Sequence, residues 1–292
     1  MLALLSLIGI AFAGMALMPG SKAGDDQDED LPRDEDTLQE REPTDLDPDM
    51  TWLFPGSDGD DYLQTGPDGE LIGGRGGNDT LDGADGNDVI AGGADEDELH
   101  GGRDDDLLFG GSGDDALFGH VDDDAISGGA GDDTLNGGGG DDLLSGGAGN
   151  DTLHGSYDDD WLIGGEGEDV MHGGEGHDLL DGRDGETLAA RDYLNGGDGD
   201  DILLSGAFDN LNGGNGADVF NLLANGPAAA TIDDFQHGED TIVVVYDGAV
   251  SEPDLSVEED ETGTTLLADG APVAFLAGVS GLDLGSVQLV AA

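Results

Sequence analysis

Cysteine is absent from the 292 residues, and Lys22 is the single lysine beside six arginines. No disulfide and no thiolate metal centre can therefore form. Against 69 acidic residues the balance is −62. That charge excludes phosphate backbones and anionic lipid as general partners, because like charge repels them over the whole surface. With 36% hydrophobic and 5% aromatic residues, so acidic a chain would by average usage be called disordered, unless its pattern argues otherwise. Catalytic signatures are missing as well: HExxH, GxSxG and a glycine loop closing in Gly-Lys-Ser/Thr do not occur. The EF-hand loop fails for want of its closing Glu and flanking helices.

Glycine is what the chain has in quantity, 56 residues of it, and it falls on a beat. From Gly56 to Asp181 the sequence divides into fourteen blocks of nine without insertion, from GSDGDDYLQ and TGPDGELIG to GGEGEDVMH and GGEGHDLLD. Position 1 is Gly in every block except at Thr65, and position 6 is Asp except at Glu70. Position 8 is always Leu, Ile or Met. Three columns holding register together define a structural repeat.

Each unit has a physical reading. Glycine at positions 1, 2 and 4 permits positive φ, as a tight turn requires. Asp replaces it at position 4 in five blocks (Asp68, Asp95, Asp104, Asp122 and Asp158) and tolerates the left-handed region better than most residues. Positions 7 to 9 predict a three-residue strand whose middle side chain lines a narrow core. Two units make one coil of 18 residues, and coils stacked about 4.8 Å apart set each position-6 carboxylate over its equivalent. One file runs Asp61, Asp79, Asp97, Asp115, Asp133, Asp151, Asp169, and the other Glu70, Asp88, Asp106, Asp124, Asp142, Asp160, Asp178.

Stacked carboxylates repel in a partly desolvated place unless a cation separates them. Oxygen donors without His or Cys favour Ca²⁺ over Zn²⁺. The candidate metal ligands are the aspartates of both files together with Asp192, Asp201 and Asp218 from the less regular blocks up to residue 221. The block of Thr65, Pro67 and Glu70 is the weakest and is left out. Residues 56–181 carry 35 acids against Arg75 and Arg103, and roughly one ion per gap between coils would bring that charge to an ordinary level. Folding is expected to depend on calcium.

The consensus GGxGxDxLx resembles the haemolysin-type (RTX) calcium-binding nonapeptide repeat. The resemblance implies a parallel β-roll with multiple Ca²⁺ held between successive turns. It covers residues 56–181 cleanly and continues less regularly to 221. There the segment SGAFDNLN (205–212) is one residue short and puts Asn210 where Asp is expected. The stretch Ile232 to Ile242 (IDDFQHGEDTI), following GADVF at 216–220, resembles the C-terminal region after the repeats in serralysin-type secreted proteins. In that family the region caps the roll and carries the type I secretion signal.

The remaining segments complete the expected architecture, an all-β chain with one N-terminal hydrophobic helix. Residues 1–23 contain an uncharged apolar run, 2–18, readable as a membrane anchor or as a signal segment. Residues 24–55 read as a disordered linker, since 24–51 are acidic, proline-punctuated and almost devoid of apolar side chains. Residues 56–221 form the roll, and 222–292 read as short antiparallel strands capping it.

Two surface features stand out. His100, His154 and His172 share position 9 of one file. A transition-metal pair is conceivable there, although an outward polar face is the plainer reading. Position 7 of the other file gives an apolar ladder of Leu71, Val89, Leu107, Leu143, Trp161 and Leu179, which is expected to be covered by the C-terminal region or by a second roll.

The function expected is non-enzymatic calcium binding by a protein that is secreted or displayed at the cell surface, with type I secretion machinery, and self-association through the apolar ladder, as possible partnerships. An adhesin, matrix or glycan-binding role is the alternative. A third possibility is the repeat part of a secreted enzyme, for whose catalytic module the residues before the roll leave no room.

Overall fold

The computed structural model describes residues 51–183, 190–224 and 228–292. The expected N-terminal helix, with its apolar run 2–18, and most of the acidic linker lie outside these residues. Strands alternate between two sheets, twelve in one and thirteen in the other among the described residues. Successive strands of a sheet are separated by one full coil and pair in parallel, as in Thr134↔Thr152 and Leu143↔Trp161. The expected parallel β-roll with its 18-residue step is therefore observed.

Most strands are six residues long, for example Thr80–Asp85 and Leu143–Ala148, rather than three. They take in positions 7 to 9 and then 1 to 3 of the next block. Those extra positions are mostly glycine, which can stay in the ladder while the chain begins to bend. The turn itself depends on left-handed backbone at positions 2 and 4, as at Gly111 (φ 121°) and Gly113 (φ 136°). Asp95, Asp104, Asp122 and Asp158 adopt the same region at φ between 69° and 75°, whereas Asp68 is not among the positive-φ residues.

Position 8 supplies the core. Leu81, Leu99, Leu117, Leu135, Leu153 and Met171 stack in register on one sheet, facing Ile72, Ile90, Leu108, Ile126, Leu144, Leu162 and Leu180 on the other. None is more than 3% exposed. Burying each contributes about 1.5–3 kcal/mol, but the core is only one side chain deep per strand. After Met171 and Leu180 the next core residues are Leu194 and Leu203. The extra residues near 186–191 leave the register on both sides intact.

Both ends of the roll differ from expectation. Thr51–Pro55, inside the segment read as linker, pairs in parallel with Glu70–Gly73 and begins the twelve-stranded sheet. At the other end the roll does not stop at 221. Ala230–Ile232, Thr241–Tyr246, Ala271–Ala277 and Gln288–Ala291 continue the two sheets in parallel. Among the described residues, only Leu255–Glu259, Gly263–Ala268 and Ala271–Ala277 pair antiparallel, as expected of the cap.

These C-terminal strands lie at the ends of the sheets, so they extend the roll rather than cover its outer faces. The ladder of Leu71, Val89, Leu107, Leu143, Trp161 and Leu179 is half-buried by its own neighbours along the sheet, such as Trp161 between Leu143 and Leu179. Among the described residues, no helix is long and apolar enough to cross a membrane.

Candidate metal centres

Position 6 follows the turn and precedes the strand, so its side chain points into the edge of the narrow interior between coils. The aspartates from Asp79 to Asp218 in the two files are at most 4% exposed. One oxygen of each has a clear task. Oδ1 of Asp124 accepts the backbone N–H of Asp106 at 2.8 Å, and Asp124 in turn donates its own N–H to Oδ1 of Asp142 at 2.8 Å. The same link joins Asp61, Asp79, Asp97, Asp115, Asp133 and Asp151, and Asp88, Asp106, Asp142, Asp160 and Asp178. It runs on through Asp169 to Asp192 and from Asp178 to Asp201 and Asp218. The sequence therefore places the ladders correctly.

Capping a backbone N–H is a structural duty that needs no metal. The second oxygen separates the two readings. Oδ2 of Asp79, Asp88, Asp97, Asp106, Asp115, Asp124, Asp133, Asp142, Asp151, Asp160, Asp178, Asp201 and Asp218 is buried and receives no hydrogen bond. One or two such atoms would be a local defect, but a periodic row of buried, unpaired carboxylate oxygens is an arrangement that a row of cations would satisfy.

The position-1 glycines show the shape of these sites. A Cβ placed on Gly110 would lie 2.5 Å from Asp115 Oδ2 and 2.6 Å from the carbonyl oxygen of Gly128. Gly110 has no positive φ, so glycine is required there for space, not for conformation as the sequence reading held. The missing side chain leaves a carboxylate oxygen and a backbone carbonyl from adjacent coils around one point. Among the described residues no group of three or more His, Asp or Glu side chains is arranged to hold a metal. A cation would therefore rely on backbone carbonyls as well as on carboxylates. That donor set is all oxygen and flexible, which fits Ca²⁺.

The electrostatics agree. Burial, reinforced by the charge of Asp142, pushes Asp124 up to about 8 despite the N–H of Asp106 pulling downward. Burial likewise raises Asp160 to about 9 and Asp106 to about 8. Asp97, Asp178 and Asp218 rise to about 6 for the same leading reason. Ionising these carboxylates while they stay packed in the bare protein is therefore costly, as expected where like charges share a buried place without a counter-ion.

The file ends depart from the pattern. Half-buried Asp61 turns Oδ2 to the Ser57 N–H at 2.6 Å and to the Ser57 hydroxyl at 3.0 Å. In the short block Asn210 is not the position-6 residue. Asn210 pairs with Tyr193 in the strand, and Asp209 accepts the N–H of Asp192. Asp240, also missed, accepts the N–H of Asp218. Both close locally, Asp209 on the Gly206 N–H and Asp240 on the Gln236 N–H, each at 2.6 Å.

A second ladder on the outer turns was also not foreseen. Position-5 side chains accept N–H groups from the coil above, as Asp114 does from Asp132 and Asp141 from Asp159. His154 and His172 lie one coil apart, as the sequence places them, and stack face to face at 5.1 Å. His100 meets His120, which the sequence reading did not single out.

The model of the RTX calcium-binding nonapeptide repeat (4 copies) matches seven overlapping segments, 55–90, 66–99, 73–108, 92–126, 118–153, 154–189 and 186–211. No curated protein matches the chain. Among solved structures, the extracellular lipase LipA from Serratia marcescens aligns at 16% identity and a TM-score of 0.24, over 82% of this chain and 40% of that one. The chain thus spans less than half of the lipase, and at that score the likeness decides nothing. The repeat itself decides, since its matches run without a break from 55 to 211, more than half of the sequence, over the same coils that carry the buried aspartate ladders. The chain belongs to the RTX calcium-binding nonapeptide repeat family.

Proposed function

We propose that this is a non-enzymatic calcium-binding roll that leaves the cytoplasm unfolded and folds outside it when calcium reaches the position-6 carboxylates. The row of buried carboxylate oxygens without hydrogen-bond partners carries this reading. Bound Ca²⁺ would supply the positive charge that these oxygens lack. The protein's own part is to fix each Asp through its Oδ1 hydrogen bond, to hold the carbonyl of a neighbouring coil nearby, and to keep position 1 clear of a side chain. In the bare chain the files repel and the single-layer core is too thin to oppose them, so an export-competent, extended state follows from the same residues.

Residues 222–292, whose sequence resembles the exported ends of serralysin-type proteins, are the proposed address for type I secretion machinery. An internally tagged chain, expressed with such machinery, is expected in the medium, and removal of 222–292 should leave it in the cells. Retention of both forms in the cell fraction would remove the export half of the proposal. A second reading, adhesion or self-association, is favoured by the half-buried outer ladder around Trp161. Sedimentation of the calcium-loaded chain tests it: a dimer that W161S converts to monomer supports the reading, and a wild-type monomer rejects it.

A further inference from the structure

The outer face of the thirteen-stranded sheet holds a histidine pair that the calcium ladders do not use. His100 lies in the strand Glu98–Arg103 and His120 ends the adjacent strand Ala116–His120. His100 pairs with Phe118 and Gly102 with His120, so the two histidines sit diagonally on the same face. His100 Nδ1 and His120 Nε2 are 3.0 Å apart. On the far side of the His100 ring, Nε2 is 3.2 Å from Glu98 Oε1. The ring of Phe118 stacks on His100 at 5.0 Å.

From this geometry we infer a binding site for a borderline divalent transition metal of the Zn²⁺ class, with His100 Nδ1 and His120 Nε2 as its two protein ligands. An ionised Glu98 can only accept a hydrogen bond, so it fixes the proton of His100 on Nε2 and leaves the Nδ1 lone pair facing His120. This is the carboxylate–imidazole arrangement that orients metal-bound histidines and raises their basicity. With Zn–N bonds of about 2.0–2.1 Å, two nitrogens on one tetrahedral ion lie about 3.3 Å apart. In the metal-free protein the two nitrogens share an N–H···N hydrogen bond at 3.0 Å, so an ion would replace the proton on His120 Nε2 and open the pair by about 0.3 Å.

The groove around the pair is lined by Asp82, Asp85 and Arg103, and with Glu98 the local charge stays negative. His120 also stands at position 2, in the left-handed region at φ 89°, where most blocks have glycine. At His154 and His172 the rings lie parallel, 4° apart, at 5.1 Å, and His172 Nδ1 faces the Asn195 amide at 3.2 Å and not the other imidazole. The site stands on the outer sheet face and shares no ligand with the interior ladders.

Zn²⁺ binding to the untagged full chain, measured by calorimetry in saturating calcium, tests the inference. The wild type should take up one equivalent. H120G, which restores the residue most blocks use, should weaken uptake at least tenfold, and E98Q should weaken it about 10- to 100-fold. H172N should bind as the wild type does. The calcium midpoint of folding, followed in parallel, must stay unchanged in each variant; if H120G shifts it, H100Q replaces it. Absence of uptake by the wild type, or uptake equal in the wild type and in a folded His100 or His120 variant, would overturn the site.

Discussion

Replacing Asp124 by Asn separates the two duties of a position-6 side chain. The amide oxygen of Asn keeps the role of Oδ1, which accepts the Asp106 N–H at 2.8 Å. The amide nitrogen replaces Oδ2, the buried atom with no donor, and removes the charge. In the metal-free protein the sign follows from the raised value of about 8. The stability contributed by the protonated Asp124 is complete below pH 3.8 and is lost as pH rises through about 8. Asn does not titrate, so whatever structure the metal-free chain keeps as pH is raised should be no less stable in the variant than in the wild type. With calcium the order reverses. Losing one charged partner costs about 1.5–3 kcal/mol, which is roughly a 10- to 150-fold shift in the affinity of that site. Thermal melts with chelator and with saturating calcium, together with a calcium titration followed by circular dichroism, read both effects. Equal destabilisation in the presence and absence of calcium would show that the aspartate only caps the backbone, and the metal-site reasoning would fail.

Other consequences are open to measurement. Because burial raises these carboxylates to values between about 6 and 9, the metal-free chain should gain β-sheet signal as pH falls from 8 towards 4 and lose it on return. A flat profile would contradict the assigned ionisation states. Gly110→Ala, which drives a Cβ against Asp115 and the Gly128 carbonyl, should cost about 1–3 kcal/mol and weaken calcium binding; an unchanged calcium midpoint would mean the cradle is not there. Leu144→Ala should cost about 2–5 kcal/mol in the calcium-loaded roll, read from its denaturant midpoint, because Leu144 is fully buried in a one-residue-deep core.

The period of nine was legible because three duties fall on fixed positions. Leu at position 8 fills the core, Asp at position 6 faces the gap between coils, and glycine makes the corner. Those columns gave the coil, the register and nearly the whole aspartate set. What stayed hidden had no such column. In the short block, Asp209 and Asn210 are adjacent polar residues, and sequence alone does not say on which side the deletion falls. The requirement for glycine at position 1 looks in sequence like a requirement for positive φ, yet it is a requirement for space beside Asp115 and its equivalents. The strands after 221 keep the parallel pairing while losing the nonapeptide, so their hydrophobic runs read as an antiparallel cap. His120 carries no signal of its own in the sequence because it occupies a glycine position, whereas the position-9 histidines share a column.

The account depends most on the claim that the aspartate ladders cannot stay packed without a divalent ion. Small-angle scattering of the full chain at pH 7.5 tests this directly, first with chelator and then with excess calcium. An expanded coil that collapses to a compact rod on adding calcium is the predicted result. A rod of the same dimensions in both samples would contradict it.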